Sequence, residues 1–220
     1  MRSPSEIAPT SLLDIVPVIP VVAVDRVEDA VPTARALVAG GLPIIELTLR
    51  TPVALEAIRM VADQVPDILV GAGTVVAATQ AKQATDAGAR FLVSPGATPA
   101  LLDAMAETGL PFLPGTATVS EVLAVLHAGH TEMKLFPAEV SGGRELLKAI
   151  AGPVPQARFC PTGGIRPDSA AAYLALPNVG CVGGTWLAPP DVIRSGDWQR
   201  IQNLAAEATQ LRDTPRGGDR

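Results

Sequence analysis

Eight times along the chain, a short run rich in β-branched residues gives way to a longer stretch rich in Ala and Leu. No other feature restricts the fold as strongly. The strand candidates are VPVIPVVAV (16 to 24), PIIELTLR (43 to 50), ILVGAGTV (68 to 75), RFLVSPG (90 to 96), PFLPGTAT (111 to 118), EMKLFPA (132 to 138), RFCPTGGI (158 to 165) and GCVGGTW (180 to 186). Between them lie helix patterns such as VEDAVPTARALVAGG and TVSEVLAVLHAGH, several stopped by an Ala-Gly pair that suits a left-handed helix cap. The unit recurs about every 20 to 26 residues, as βα units do. Nearly continuous apolar strands in eight successive units predict a closed parallel (β/α)8 barrel, a TIM barrel, ahead of a doubly wound open sheet.

One domain is expected over residues 1–220, because α/β barrels of this length do not split. Residues 1–14 are expected to form an N-terminal cap, with a helix in SEIAPTSLLDIV closing the bottom of the barrel, and 213–220 a disordered tail. A net charge of -5 with no basic run argues against nucleic acid as a partner. The N-terminus lacks a secretory pattern, and the apolar runs are cut well short of the ~20 residues of a membrane helix. A soluble, cytoplasmic protein is the expectation. Cys160 and Cys181 read as reduced core thiols. His127 and His130 flank Gly129, a helix stop that does not present two imidazoles on one face, so no metal site is predicted.

Side chains alternate along a strand, so positions two apart share a face. One face of PIIELTLR carries Ile44, Glu46, Thr48 and Arg50, and one face of EMKLFPA carries Lys134 and Phe136. In the same way Val70, Ala72 and Thr74 align, and so do Cys160 and Thr162. With the apolar faces against outer helices, this polar set points into the barrel, toward the end where barrel enzymes build their sites. Phe91, Phe112 and Phe159 open their strands and are assigned to packing at the bottom.

Glu46 and Lys134 then share a small interior. A buried ion pair with a structural role is one reading. The chain has three lysines, Lys82, Lys134 and Lys148, against fourteen arginines, and only Lys134 faces inward. Arginine keeps its proton in a protein, whereas lysine can lose it, so an inward lysine suggests a use for the free amine. A desolvated amine can condense with a carbonyl to an iminium, an electron sink that permits C–C bond cleavage or formation without a metal. Glu46 is the available proton carrier. Arg50 and Thr74, at strand ends, offer a guanidinium fork and a hydroxyl to a carboxylate. Two glycine pairs, in PTGGI (161 to 165) and VGGTW (182 to 186), close strands seven and eight, where barrels recurrently bind phosphate.

With these residues in place the chain resembles the class I 2-keto-3-deoxy-6-phosphogluconate (KDPG) and 4-hydroxy-2-oxoglutarate (KHG) aldolase family. The segments that carry the resemblance are ALVAGGLPIIELTLRT, VGAGTV, SPG, KLFPAEVSGG, RFCPTGGI and VGGTW. The resemblance implies a homotrimeric barrel with no cofactor, acting on pyruvate and a phosphorylated keto-deoxy sugar acid. Lys134 would form the Schiff base and Glu46 would handle protons. Arg50, Thr74 and Thr162 would hold the pyruvate carboxylate and nearby oxygens, Pro95 and Phe136 would line the pocket, and Gly163, Gly164, Gly183, Gly184 and Thr185 would receive the phosphate. Three alternatives stay open at this level. One is the same chemistry on 2-keto-3-deoxy-6-phosphogalactonate or 4-hydroxy-2-oxoglutarate. Another is a non-catalytic barrel that binds a phosphorylated metabolite, with Lys134 as a counter-ion only. The third is a phosphate-binding isomerase or synthase on the same fold, which leaves the inward lysine without a task.

Overall fold

A computed structural model describes residues 11–212. The strands are β1 (Val18–Val22), β2 (Ile44–Thr48), β3 (Leu69–Gly73), β4 (Leu92–Val93), β5 (Phe112–Leu113), β6 (Gly115–Thr116), β7 (Glu132–Leu135), β8 (Arg158–Pro161) and β9 (Val182–Gly184). The helices are α1 (Ala30–Ala39), α2 (Ala54–Gln64), α3 (Ala78–Asp86), α4 (Pro99–Glu107), α5 (Val119–His127), α6 (Gly143–Ala151), α7 (Pro167–Leu174), α8 (Pro190–Ser195) and α9 (Trp198–Thr209). The strands pair in parallel throughout the described residues. The strands form a six-stranded sheet in the order β5-β4-β3-β2-β1-β9 and a three-stranded sheet in the order β6-β7-β8. Isolated bridges tie Phe159 of β8 to Val179, ahead of β9, and Thr162, just past β8, to Gly183 within β9.

The fifth expected strand is split. Pro114 has no N–H to continue a ladder. The chain therefore pairs with β4 through Phe112 and Leu113, then with β7 through Gly115 and Thr116. The amide of Gly115 is instead satisfied by the Ser94 hydroxyl at 3.2 Å.

A helix over the opening segment is not what the described residues form. Leu12–Asp14 makes a single 3-10 turn, with the Ser11 hydroxyl accepting from the Leu13 amide. Leu12 and Leu13 are buried, and Leu13 packs against Gly180. Arg158 holds the turn down by bonding Asp14 and Glu132, while Ser11 donates to Glu132. Residues 1–10 of the expected cap and the expected tail at 213–220 lie outside the described residues.

The helices follow from amphipathic patterns and local stops. In α5, Val122 and Val125 are buried, and its start carries a capping box in which Thr118 and Glu121 each bond the other's backbone. Apolar residues of helices and strands merge into one hydrophobic cluster running from Leu12 to Ala208. No helix among the described residues is long and apolar enough to cross a membrane.

Candidate active site

Strand register decides which side chains share an interior. Cα partners in a parallel sheet point the same way, and Glu46 pairs with Val21 on one side and Gly71 on the other. Thr48 pairs with Gly73, one pleat further along. Val70 and Ala72 instead pair with Ile45 and Leu47, on the apolar face. The expected alignment of Thr74 with Val70 and Ala72 as an inward set is therefore incorrect. Gly71 and Gly73 take the inward positions, and Thr74 leaves the strand through a left-handed backbone with φ of 60°. The alternation rule stops where the strand stops, at Gly73.

Lys134 pairs in register with Gly115 and Cys160, so Cys160 faces inward as expected. Its Nζ lies 3.4 Å from Glu46 Oε1, across 88 positions of sequence. Both residues are buried, Glu46 at 3% and Lys134 at 5% exposure. The ammonium also lies 5.2 Å from the centroid of the Phe136 ring. Lys82 and Lys148, by contrast, sit on helix surfaces paired with Asp86 and Glu145. Lys134 is the one lysine withdrawn from water, beside the one glutamate buried among the described residues.

Around this pair the expected site residues differ in how closely they gather. Arg50 is exposed just past β2, and its Nε donates to Thr74 Oγ1 at 3.3 Å. The two are thus neighbours at the strand ends. Thr162 is buried, donates to the Cys160 carbonyl and fills the space that a side chain at Gly183 would need. Pro95 and Phe136 are half-buried.

The two glycine pairs are not equivalent. Gly163 and Gly164 form a true loop between β8 and α7, with φ of 101° and 82°, a region that L side chains rarely adopt. Gly183 and Gly184 lie buried within β9, paired with Ile19 and Pro20, rather than in the loop that follows. Their lack of side chains makes room for Thr162 and for the Trp186 ring. Thr185 is exposed at the end of this strand.

Several polar residues at or near the site escaped the strand-face reasoning. Ser94 and Thr116 are buried, the latter donating to the Lys134 carbonyl at 3.2 Å. Tyr173 donates to Glu139 at 2.6 Å, and burial, followed by that carboxylate, pushes its phenol well above its ordinary range. Both line a depression of about 570 Å3 beside Gly164, together with Arg144 and Arg166. Helix positions such as Tyr173 carry no strand-parity signal. The alternating glycines of VGAG did offer one, since residues two apart share a face.

Cys160 and Cys181 are both buried and free. A hydrogen bond from Cys160, reinforced by burial, holds Cys181 well above the ordinary thiol range. His130 packs its ring on Phe112 at 4.5 Å. Phe112 pairs in register with Leu92, one position past Phe91, and so takes the opposite face from it. Phe91 does face inward, over Gly71, whereas Phe159 shares the register of Met133, on the other face from Lys134. Among the described residues no group of three or more His, Cys, Asp or Glu is arranged to hold a metal.

Parallel strands that present a buried lysine beside a buried glutamate are the arrangement that a lyase working through a lysine imine requires. The particular family follows from comparison with known proteins. A family model described as "KDPG and KHG aldolase" matches residues 10–204, and the chain belongs to that family. It is 51% identical over 200 residues to the KHG/KDPG aldolase of Escherichia coli K12, covering 91% of this chain and 94% of that one. It is 53% identical over 192 residues to the 2-dehydro-3-deoxy-phosphogluconate aldolase of Dickeya dadantii, covering 87% and 90%. A solved structure of KDPG aldolase from Legionella pneumophila, with pyruvate captured at low pH as a covalent carbinolamine intermediate, superposes with a TM-score of 0.88 at 46% identity, covering 90% and 96%.

Proposed function

We propose that this chain catalyses the reversible aldol cleavage of 2-keto-3-deoxy-6-phosphogluconate to pyruvate and D-glyceraldehyde 3-phosphate through a lysine imine. The observation that carries the reading is the buried contact of Lys134 with Glu46 at 3.4 Å. The neutral amine attacks the C2 carbonyl, and loss of water leaves an iminium. That cation draws the electrons of the C3–C4 bond as the aldehyde departs. The resulting enamine is protonated at C3, and water releases pyruvate. Glu46, on the same interior, moves the protons. Positive charge on nitrogen does the work a Lewis-acid metal does elsewhere, so no cofactor enters the scheme.

In this reading Arg50 and Thr74, bonded to each other, hold the pyruvate carboxylate with Thr162, and Pro95 and Phe136 wall the pocket. The phosphate end is received by Gly163, Gly164, Gly183, Gly184 and Thr185. The left-handed Gly163–Gly164 turn supports this more strongly than the strand-bound pair does. We further propose that the two sheets, bridged between β8 and β9, act as one closed (β/α)8 barrel and a single domain, with the Leu12–Asp14 turn as part of a bottom cap. A cytoplasmic homotrimer completes the reading, on the strength of the family resemblance. The E. coli relative's name includes KHG, which favours 4-hydroxy-2-oxoglutarate as a second substrate.

Borohydride added with pyruvate should trap a covalent adduct that peptide mapping places on Lys134. An unmodified Lys134 would sink the mechanism and leave the counter-ion reading. Glu46→Gln is expected to keep some imine formation and lose most turnover; full activity in that variant would place the proton relay elsewhere.

A further inference from the structure

Five serine and threonine side chains are buried among the described residues: Thr33, Thr48, Ser94, Thr116 and Thr162. Four of them are bonded. Thr33 donates to the Asp29 carbonyl, Ser94 accepts from the Gly115 amide, Thr116 donates to the Lys134 carbonyl and Thr162 donates to the Cys160 carbonyl. Thr48 Oγ1 alone has no partner, at 3% exposure. A buried hydroxyl in that state is destabilising, and valine has the same shape without the polar atom.

Thr48 also stands where the chemistry happens. It shares the inward face of β2 with Glu46, one pleat further along, in register with Gly73. The Glu46 side chain bends into that same pleat. A Cβ built on Gly73 would lie 2.1 Å from Glu46 Oε1 and 2.6 Å from both Cγ and Cδ. Carboxyl and unpartnered hydroxyl therefore occupy one level of the interior, on adjacent strand positions.

We propose that Thr48 is a positioning residue for the water that the imine cycle releases and consumes, an inference that rests on the aldolase reading above. In the forward step the carbinolamine carries Lys134 nitrogen and a hydroxyl on C2. The Glu46 carboxyl gives its proton to that hydroxyl, the C–O bond breaks, the nitrogen lone pair forms the iminium, and water departs. In reverse, the carboxylate takes a proton from water as its oxygen bonds C2. Thr48 Oγ holds this water's oxygen beside the carboxyl in both directions.

Thr48→Val tests the assignment on the full chain. Expected are a 10- to 100-fold fall in kcat with KM changed less than threefold, an equal slowing of pyruvate trapping by borohydride, and a thermal midpoint no lower than the parent's. In deuterated water the parent should release pyruvate carrying mainly one deuterium. Slower imine hydrolysis in Thr48→Val should shift the product toward the trideuterated methyl, a readout that a merely structural hydroxyl would not move. Thr48→Ser should restore both rate and isotope pattern to within threefold. Parental kcat and isotope pattern in Thr48→Val would overturn the proposal. So would a Thr48→Val that fails to fold, since the hydroxyl would then have a structural task. Absence of any pyruvate adduct in the parent itself would instead overturn the aldolase reading, so the two failures are separable.

Discussion

Gly73 has no side chain because Glu46 occupies the space one would fill. An alanine Cβ there would come within 2.1 Å of Oε1, and the carboxyl can relieve this only by moving away from the position it shares with Lys134. Gly73→Ala is therefore expected to cost about 1–3 kcal/mol by overpacking. It should lower kcat by roughly tenfold or more, because proton transfer depends on hydrogen-bond reach. Denaturant unfolding and steady-state kinetics on the same preparation check both halves. Loss of stability with full kcat would show that the carboxyl works equally well elsewhere. At this scale the buried interior lysine was legible, because the scarcity of lysine and its placement in an apolar run are properties of the chain. Gly73 was overlooked, since a missing side chain announces itself only when its neighbour is known.

Helix α5 shows what a local motif contributes. Its capping box satisfies amide donors that the first helical turn leaves free, so Thr118→Ala should cost about 1 kcal/mol in urea unfolding. The Ala117 amide, opposed by burial and aided by Thr118, holds the Glu121 carboxyl below its ordinary 4.5. A carboxyl with a depressed folded value stabilises the protein above its unfolded value and loses that contribution as pH falls through the folded one. The stability gap between the parent and Glu121→Gln should thus be present at pH 7 and close below pH 4.5. Unfolding midpoints at pH 7 and pH 3 read it directly. The motif was visible as TVSE in the sequence, as were the alternating textures that became strands and helices. The split at Pro114 and the face reversal of β3 were not anticipated. Each depends on which neighbour a strand finds, and alternation alone does not specify a partner.

Across the whole molecule, the N-terminal turn is fastened to the starts of β7 and β8 by one arginine. Arg158 bonds Asp14 at 2.6 Å and Glu132 at 2.9 Å, and chiefly the Asp14 bond holds its guanidinium above the ordinary arginine value. The group is partly solvated, which limits the pair energy, so Arg158→Ala is expected to cost about 1 kcal/mol. Backbone amides between Ser11 and Val16 should lose hydrogen-exchange protection first; unchanged exchange there would show that buried Leu12 and Leu13 suffice to anchor the turn.

Properties that act between near neighbours were already present in the linear chain. The eightfold βα alternation, the glycine stops, the inward parity of Glu46 and Lys134 and the lone interior lysine all follow from residue type and spacing. Distances between remote positions were not. Folding brings Lys134 to 3.4 Å from a residue 88 positions away, places Gly183 and Gly184 inside a strand, and leaves Thr48 as a buried hydroxyl without a bond. Alternation sets only which way a side chain points, whereas contact depends on strand register and on how the sheet curls, and those are settled by packing of the whole molecule.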